Sequence, residues 1–306
     1  MAASTASVTA ARFARIPARW AAPRPSEWAL AVLGRPEIGS FLEGPAFDRA
    51  GTLYVSDLAH QRIFRIDPAG EVDVLVEYDG RPNGLAVDRD GGLFVADYAK
   101  GLLRIVPDSG KIETVLAGHR LEPFRGLSDL VFGPDGALYF SDQGQSDLRD
   151  PVGRVFRLGA NGDVEVLMEG IASPNGMALS PDGAMLYVAV TRANCVYRLP
   201  LRPGGGLGKV GVHVYSGGGT GGPDGLAVSA DGGLAIAQFG SGRVWLVDSD
   251  GLLAGSVRST EGKGVTNVAY GGPDGRSLYL TEAESGSVLV ARLPTPGTEL
   301  YSHGGR

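Results

Sequence analysis

The stretch Ser173-Pro174-Asn175-Gly176-Met177-Ala178-Leu179-Ser180-Pro181-Asp182-Gly183 recurs along the chain, and that recurrence limits the chain to a repeat architecture. Aligned on one variable polar residue, the phrase falls at Glu43, Asn83, Ser128, Asn175, Asp224 and Asn267, at intervals of 40, 45, 47, 49 and 43 residues. A glycine stands eight residues after each (Gly51, Gly91, Gly136, Gly183, Gly232, Gly275), and in five of the six copies an Asp precedes it. A constant offset over six copies does not arise from composition alone, even with 48 glycines in 306 residues.

Each unit reads as a set of short strands. In the third these are 130–133, 137–141, 154–158 and 163–168, joined by Pro134-Asp135-Gly136 and Ala160-Asn161-Gly162 turns. A four-stranded unit of about 40–45 residues is a propeller blade. The expected fold is therefore all-β, a six-bladed β-propeller of four-stranded antiparallel blades. After Leu293 the chain turns to Pro294, Pro296 and Gly297, so the last blade lacks an outer strand. Trp28–Gly34 is the expected N-terminal strand that completes it beside Val288–Leu293, since closing the ring removes an exposed edge. The expected organisation is a leader over 1–27, one propeller over 28–294 and a tail over 295–306. The leader is rich in Ala and Arg with no acid before Glu27, and reads as a polar segment over the domain surface, with a transit peptide as the alternative.

The net charge of −6 argues against nucleic acid as a partner, and no apolar run reaches the length that spans a membrane. The single cysteine, Cys195, lies in a strand pattern and reads as a buried inert thiol. It allows no internal disulfide, which fits the cytoplasm as the expected location. If the chain self-associates, a homodimer is the expected form.

In a propeller the innermost strands line a central channel, so the six variable residues should converge at one mouth. They comprise two acids (Glu43, Asp224), three amides (Asn83, Asn175, Asn267) and one hydroxyl (Ser128), with Asp129 directly after it. Oxygen donors without histidine or cysteine suit a hard cation, Ca²⁺ first, with Mg²⁺, Mn²⁺ or Zn²⁺ as alternatives. Asn and Asp before glycine also serve as plain turn residues, and for Asn83 and Asn267 that reading is equally good.

Taken in order, Leu42-Glu43-Gly44-Pro45, Ser128-Asp129-Leu130-Val131-Phe132, Ser173-Pro174-Asn175-Gly176 and Gly222-Pro223-Asp224-Gly225 resemble the senescence-marker-protein/gluconolactonase superfamily of six-bladed propellers. That superfamily also includes fluorophosphatase-type enzymes and bacterial drug-responsive lactonases, and the likeness is closest to the last. The resemblance implies a divalent cation held by Glu43, Asn175 and Asp224, and a small-molecule lactone as substrate. It implies Asp129 as the base that activates water, with Asp224 as the alternative base. Many members carry Asn at the position of Ser128, and the sugar-lactone members carry Arg where this chain has Gly126. Asn83, Ser128 and Asn267, together with Tyr98, Phe124, Arg125, Gln143 and Phe239 from the mouth loops, are the expected substrate contacts. Two long loops of the third unit, 119–127 and 143–153, could form a lid. An organophosphate hydrolase and a non-catalytic, metal-stabilised binding propeller are the competing readings.

Overall fold

The structure, a computed structural model, describes residues 6–203, 205–218 and 221–304. Its six blades begin on the strands Leu42–Phe47, Pro82–Val87, Leu127–Phe132, Pro174–Leu179, Gly222–Val228 and Val265–Gly271. In the first five blades four consecutive strands follow one another outward as an antiparallel meander, and in the sixth three do. Blade one, for example, runs Leu42–Phe47, Leu53–Asp57, Arg62–Ile66 and Val72–Glu77. The period-2 alternation of these strands buries side chains on both faces, because each blade is covered by a neighbour on either side. The core therefore lies between blades. Ala46, Tyr54 and Ile63 of blade one pack with Leu85, Val95 and Leu103 of blade two.

Ring closure differs from the sequence expectation. Trp28–Gly34 is not the closing strand. Glu27–Leu33 is an α-helix, with the Ser26 hydroxyl accepting the Ala29 N–H at its start and Gly34 at φ +68° ending it. Glu, Ala and Leu favour that helix, and the apparent alternation of Trp28, Leu30 and Val32 is incidental. Trp28 is buried while Leu30 stays 56% exposed. The strand that closes blade six is Ala11–Arg15, antiparallel to Ser287–Arg292. Just before it, Ala6–Thr9 pairs in parallel with Leu253–Arg258 as a fifth strand on blade five. Buried Ala10 makes the crossing, its N–H donating to the Arg258 carbonyl at 2.9 Å. Residues 6–15, expected in a leader, thus stitch the last two blades together; the first five residues of that leader lie outside the described residues.

The segment after blade six passes beneath the far end of the channel. The Thr298 N–H donates to the Val228 carbonyl at 3.0 Å, and the Ser302 hydroxyl to the Phe47 carbonyl at 3.3 Å. Tyr301 stacks on Phe132 at 4.6 Å, and the Arg89 guanidinium lies over the Tyr301 ring at 4.4 Å. This segment floors a chamber of about 460 Å³ whose opposite end is formed by Asp129 and Asn267. Among the described residues no helix is long and apolar enough to cross a membrane.

Candidate metal and hydrolase site

The first turn of each innermost strand crowds against its neighbour, and this explains the glycine that follows most of the variable residues. A Cβ on Gly84 would lie 2.4 Å from an Asp129 carboxylate oxygen and 2.6 Å from the Asp129 Cα. One on Gly225 would lie 1.9 Å from the Asn267 side-chain oxygen. Blade three carries Asp129 and blade six Val268 at the position where the other four blades have glycine, so at blade three a carboxylate stands beside the mouth.

Hydroxyls on or directly after the second strands tie neighbouring innermost strands together. Ser56 donates to the Asn83 carbonyl at 2.6 Å, Ser141 to the Asn175 carbonyl at 2.8 Å and Thr191 to the Pro223 carbonyl at 2.8 Å. Thr266, on an innermost strand, closes the circle on the Leu42 carbonyl at 2.6 Å. Acids at the second-strand ends fix the segments that feed the mouth. Asp57 accepts the Phe41 N–H at 2.9 Å, Asp142 the Arg125 N–H at 2.9 Å and Glu282 the Gly264 N–H at 2.9 Å. Fully buried Asp57 is also paired with fully buried Arg62 at 2.8 Å, and Asp142 with Arg154 at 2.6 Å. The sequence reading missed this second set of repeated residues. Its signal was the Ser-Asp pair closing the second strand in units one and three, followed by Arg at the start of the third.

All six variable residues come together at the channel mouth. Asn83 Nδ2 donates to Ser128 Oγ at 3.4 Å, and Ser128 Oγ donates to Asn175 Oδ1 at 2.7 Å. Asn267 Nδ2 reaches Glu43 Oε2 at 3.5 Å, while its Oδ1 accepts the Val268 N–H at 2.8 Å. Asp129 accepts the Leu130 N–H at 2.9 Å and the Met177 N–H at 3.3 Å.

The electrostatics are unfavourable as they stand. Burial raises the carboxyl pKa of Glu43 well above its ordinary value, and Asp224 and Asp129 raise it further. Burial and then Asp129 raise Asp224 in the same direction, with Arg192 opposing weakly. Burial lifts Asp129 to about 7 against the two backbone N–H bonds that favour its charge. None of the three pairs with Lys or Arg among the described residues, and Asp224 Oδ1 is buried with no hydrogen-bond partner. Buried, mutually repelling carboxyls with an orphaned oxygen fit a bound divalent cation. Among the described residues no three His, Cys, Asp or Glu side chains form a metal cluster by themselves. A cation here would take its remaining oxygens from Asn175 and water.

Of the expected substrate contacts, Tyr98 and Phe239 join Trp28 and Phe41 in one apolar cluster above the mouth. Phe41 lies 4.8 Å from Trp28 and 6.1 Å from Phe239, ring to ring. Gln145 on the second long loop hydrogen-bonds the Tyr98 hydroxyl. Phe124 instead points into blade three, edge-on to Phe140 at 5.5 Å and Phe156 at 5.3 Å, so its role is packing. Arg125 ties the two long loops together, donating to the Val152 carbonyl at 3.2 Å, and the Gln143 N–H donates to the Gly126 carbonyl at 2.9 Å. Cys195 is buried, with its thiol pushed up to about 11, an inert core residue.

A ring of six four-stranded blades with an oxygen-rich, acid-bearing mouth defines the class: a six-bladed β-propeller. The family described as the SMP-30/Gluconolactonase/LRE-like region matches residues 41–284, and the chain belongs to that family. It is 30% identical over 230 residues to the lactonase drp35 of Staphylococcus aureus strain USA300, covering 72% of this chain and 70% of that protein. Among solved structures it is similar to a gluconolactonase from Xanthomonas campestris (TM-score 0.74, 26% identity, 83% of this chain and 86% of that one). It is likewise similar to the calcium-binding protein regucalcin from Agrobacterium tumefaciens (TM-score 0.75, 25% identity, 87% and 94%).

Proposed function

We propose that the protein is a divalent-cation-dependent lactonase, with Ca²⁺ as the resident ion, acting on lactones with an apolar or aromatic substituent. The observation that carries the cation is the set of buried acids Glu43, Asp129 and Asp224, which among the described residues form no ion pair with Lys or Arg and leave Asp224 Oδ1 unsatisfied. The reaction is supported by the names of the relatives, lactonase and gluconolactonase, and the cation by the calcium-binding neighbour. Glu43, Asn175 and Asp224 would hold the ion, which when bound supplies a Lewis acid for the lactone carbonyl and a seat for water.

Asp129 is the base. It is held by the Leu130 and Met177 N–H groups beside the proposed cation ligands without being one of them, which leaves its carboxylate free to take a proton. It takes a proton from the attacking water as the water oxygen bonds to the ring carbonyl carbon. It then returns the proton to the ring oxygen as the ester C–O bond breaks, releasing the hydroxy acid. Asp224 is the poorer base because its oxygens serve the cation. Phe239, Tyr98 and the edge of the Trp28–Phe41 pair form the wall against which the substituent lies.

The test is hydrolysis of a lactone panel by chelator-stripped protein, with and without added Ca²⁺, beside an organophosphate panel. Activity on a hydrophobic lactone that returns with Ca²⁺ is expected. Replacing Asp129 with Asn should lower kcat by about 10²–10⁴-fold while Ca²⁺ still binds. No lactone turnover with Ca²⁺ present, or full activity in the Asn variant, would refute the proposal.

A further inference from the structure

Of the hydroxyls that donate across the ring from the second strands or the residue directly after them, only one among the described residues also accepts a hydrogen bond from a side-chain amide at the mouth, and it belongs to Thr191. Thr191 follows blade four's second strand, Met185–Val190, and is buried. Its Oγ1 lies 2.8 Å from the Pro223 carbonyl and 3.3 Å from Asn175 Nδ2. A hydroxyl carries one proton. The Pro223 carbonyl can only accept, so the Thr191 proton is committed there. Toward Asn175, Thr191 can then only accept, and the amide must present its nitrogen. The Asn175 oxygen is forced to the opposite side, where it already accepts from Ser128 Oγ at 2.7 Å. The Ser128 proton is spent in turn, so Asn83 must present Nδ2, as it does at 3.4 Å.

The hydrogen bonds therefore run in one direction, from Asn83 through Ser128 to the Asn175 oxygen, and from the Asn175 nitrogen through Thr191 to the carbonyl that immediately precedes Asp224. In the absence of a cation an amide side chain can settle either way round, and the wrong end offers N–H dipoles to a positive charge. We propose that Thr191 is a positioning residue for the cation site. It locks the Asn175 amide with its nitrogen toward Thr191 and its oxygen on the Ser128 side, free to offer its second lone pair to a cation, and through Pro223 it holds the backbone from which Asp224 projects. The inference rests on the proposed roles of Asn175 and Asp224 as ligands. It concerns a residue outside the repeated phrase, with no contact to substrate required.

The test is Ca²⁺ titration of chelator-stripped full-length protein by calorimetry, for wild type, Thr191→Val, Thr191→Cys and Thr191→Ser, with thermal melts of each. Val keeps the shape and removes both hydrogen bonds; Cys keeps the volume with a poor acceptor; Ser keeps the hydroxyl. Loss of a group that orients a metal ligand typically costs about 10–100-fold in affinity. That loss is expected for Val and Cys, with Ser within about 3-fold of wild type by the same comparison. A Val or Cys variant that folds and binds Ca²⁺ as tightly as wild type overturns the role of Thr191. So does a Ser variant as weak as Cys, since shape rather than the hydroxyl would then matter; this comparison holds even if the Val protein does not fold. Wild type that takes up no Ca²⁺ overturns the cation assignment itself, and is distinguished from failure of the Thr191 inference by that control alone.

Discussion

Removing the cation should make the protein less stable as pH rises, the reverse of ordinary acid denaturation. Asp129 has a folded-state pKa of about 7 because burial disfavours its charge. An unfolded aspartate titrates near ~3.9. A raised carboxyl contributes stability that is fully present below the unfolded pKa and is lost as pH rises through the folded pKa. The window is therefore pH 4 to about 7. Three units at ~1.36 kcal/mol each give about 4 kcal/mol for Asp129. Glu43 and Asp224 shift in the same direction and add to it. About two of those three units fall between pH 5 and 8, or about 2.6 kcal/mol; in a chain of this size 1 kcal/mol moves Tm by about 2 °C, so Asp129 alone should lower Tm by about 5 °C over that range. The assay is thermal unfolding in chelator across that range for wild type and Asp129→Asn, each repeated with Ca²⁺. Asn keeps the shape and has no charge to desolvate, so its slope should be shallower, and Ca²⁺ should flatten the wild-type slope. A wild-type Tm that is level or rising from pH 5 to 8 in chelator would refute the reasoning, as would identical slopes for the two proteins.

Asp224→Asn should weaken Ca²⁺ binding by about two orders of magnitude or more, since ligand charge sets affinity in such sites, while raising the Tm of the metal-free protein by relieving like-charge repulsion; calorimetry and melts read the two effects separately. Arg62→Met should cost about 3–5 kcal/mol in denaturant unfolding, because it leaves the fully buried Asp57 carboxylate without its ion pair. Gly84→Ala should cost about 1–3 kcal/mol by the same assay and should also perturb catalysis, because the added Cβ meets the Asp129 backbone and carboxylate. Ser26→Ala should cost about 1 kcal/mol, through loss of the cap on the mouth helix, visible as a small drop in Tm.

The repeat in the sequence determined the fold class, the number of blades and the identity of the mouth residues. A constant offset in a four-stranded meander returns each copy to the same height on the channel, so Glu43, Asn175 and Asp224 had to meet. The inert Cys195 was equally legible, because an apolar strand context leaves a thiol buried and uncharged. Only the tertiary structure decided how the ring closes. Trp28–Gly34 and Ala11–Arg15 both carry short apolar patterns, and local propensity made the first a helix while the free edge of blade six selected the second. Phe124 was likewise undecidable from sequence, since an aromatic on a mouth loop can face substrate or core, and here Phe140 and Phe156 offer it a packed site. The Pro223 partner of Thr191, and the placing of Asp129 against Gly84 of the neighbouring blade, depend on distances between strands more than 30 residues apart in sequence. Periodicity specifies which residues share a ring; the direction of each hydrogen bond across it is set by which atoms the packed backbones bring within reach.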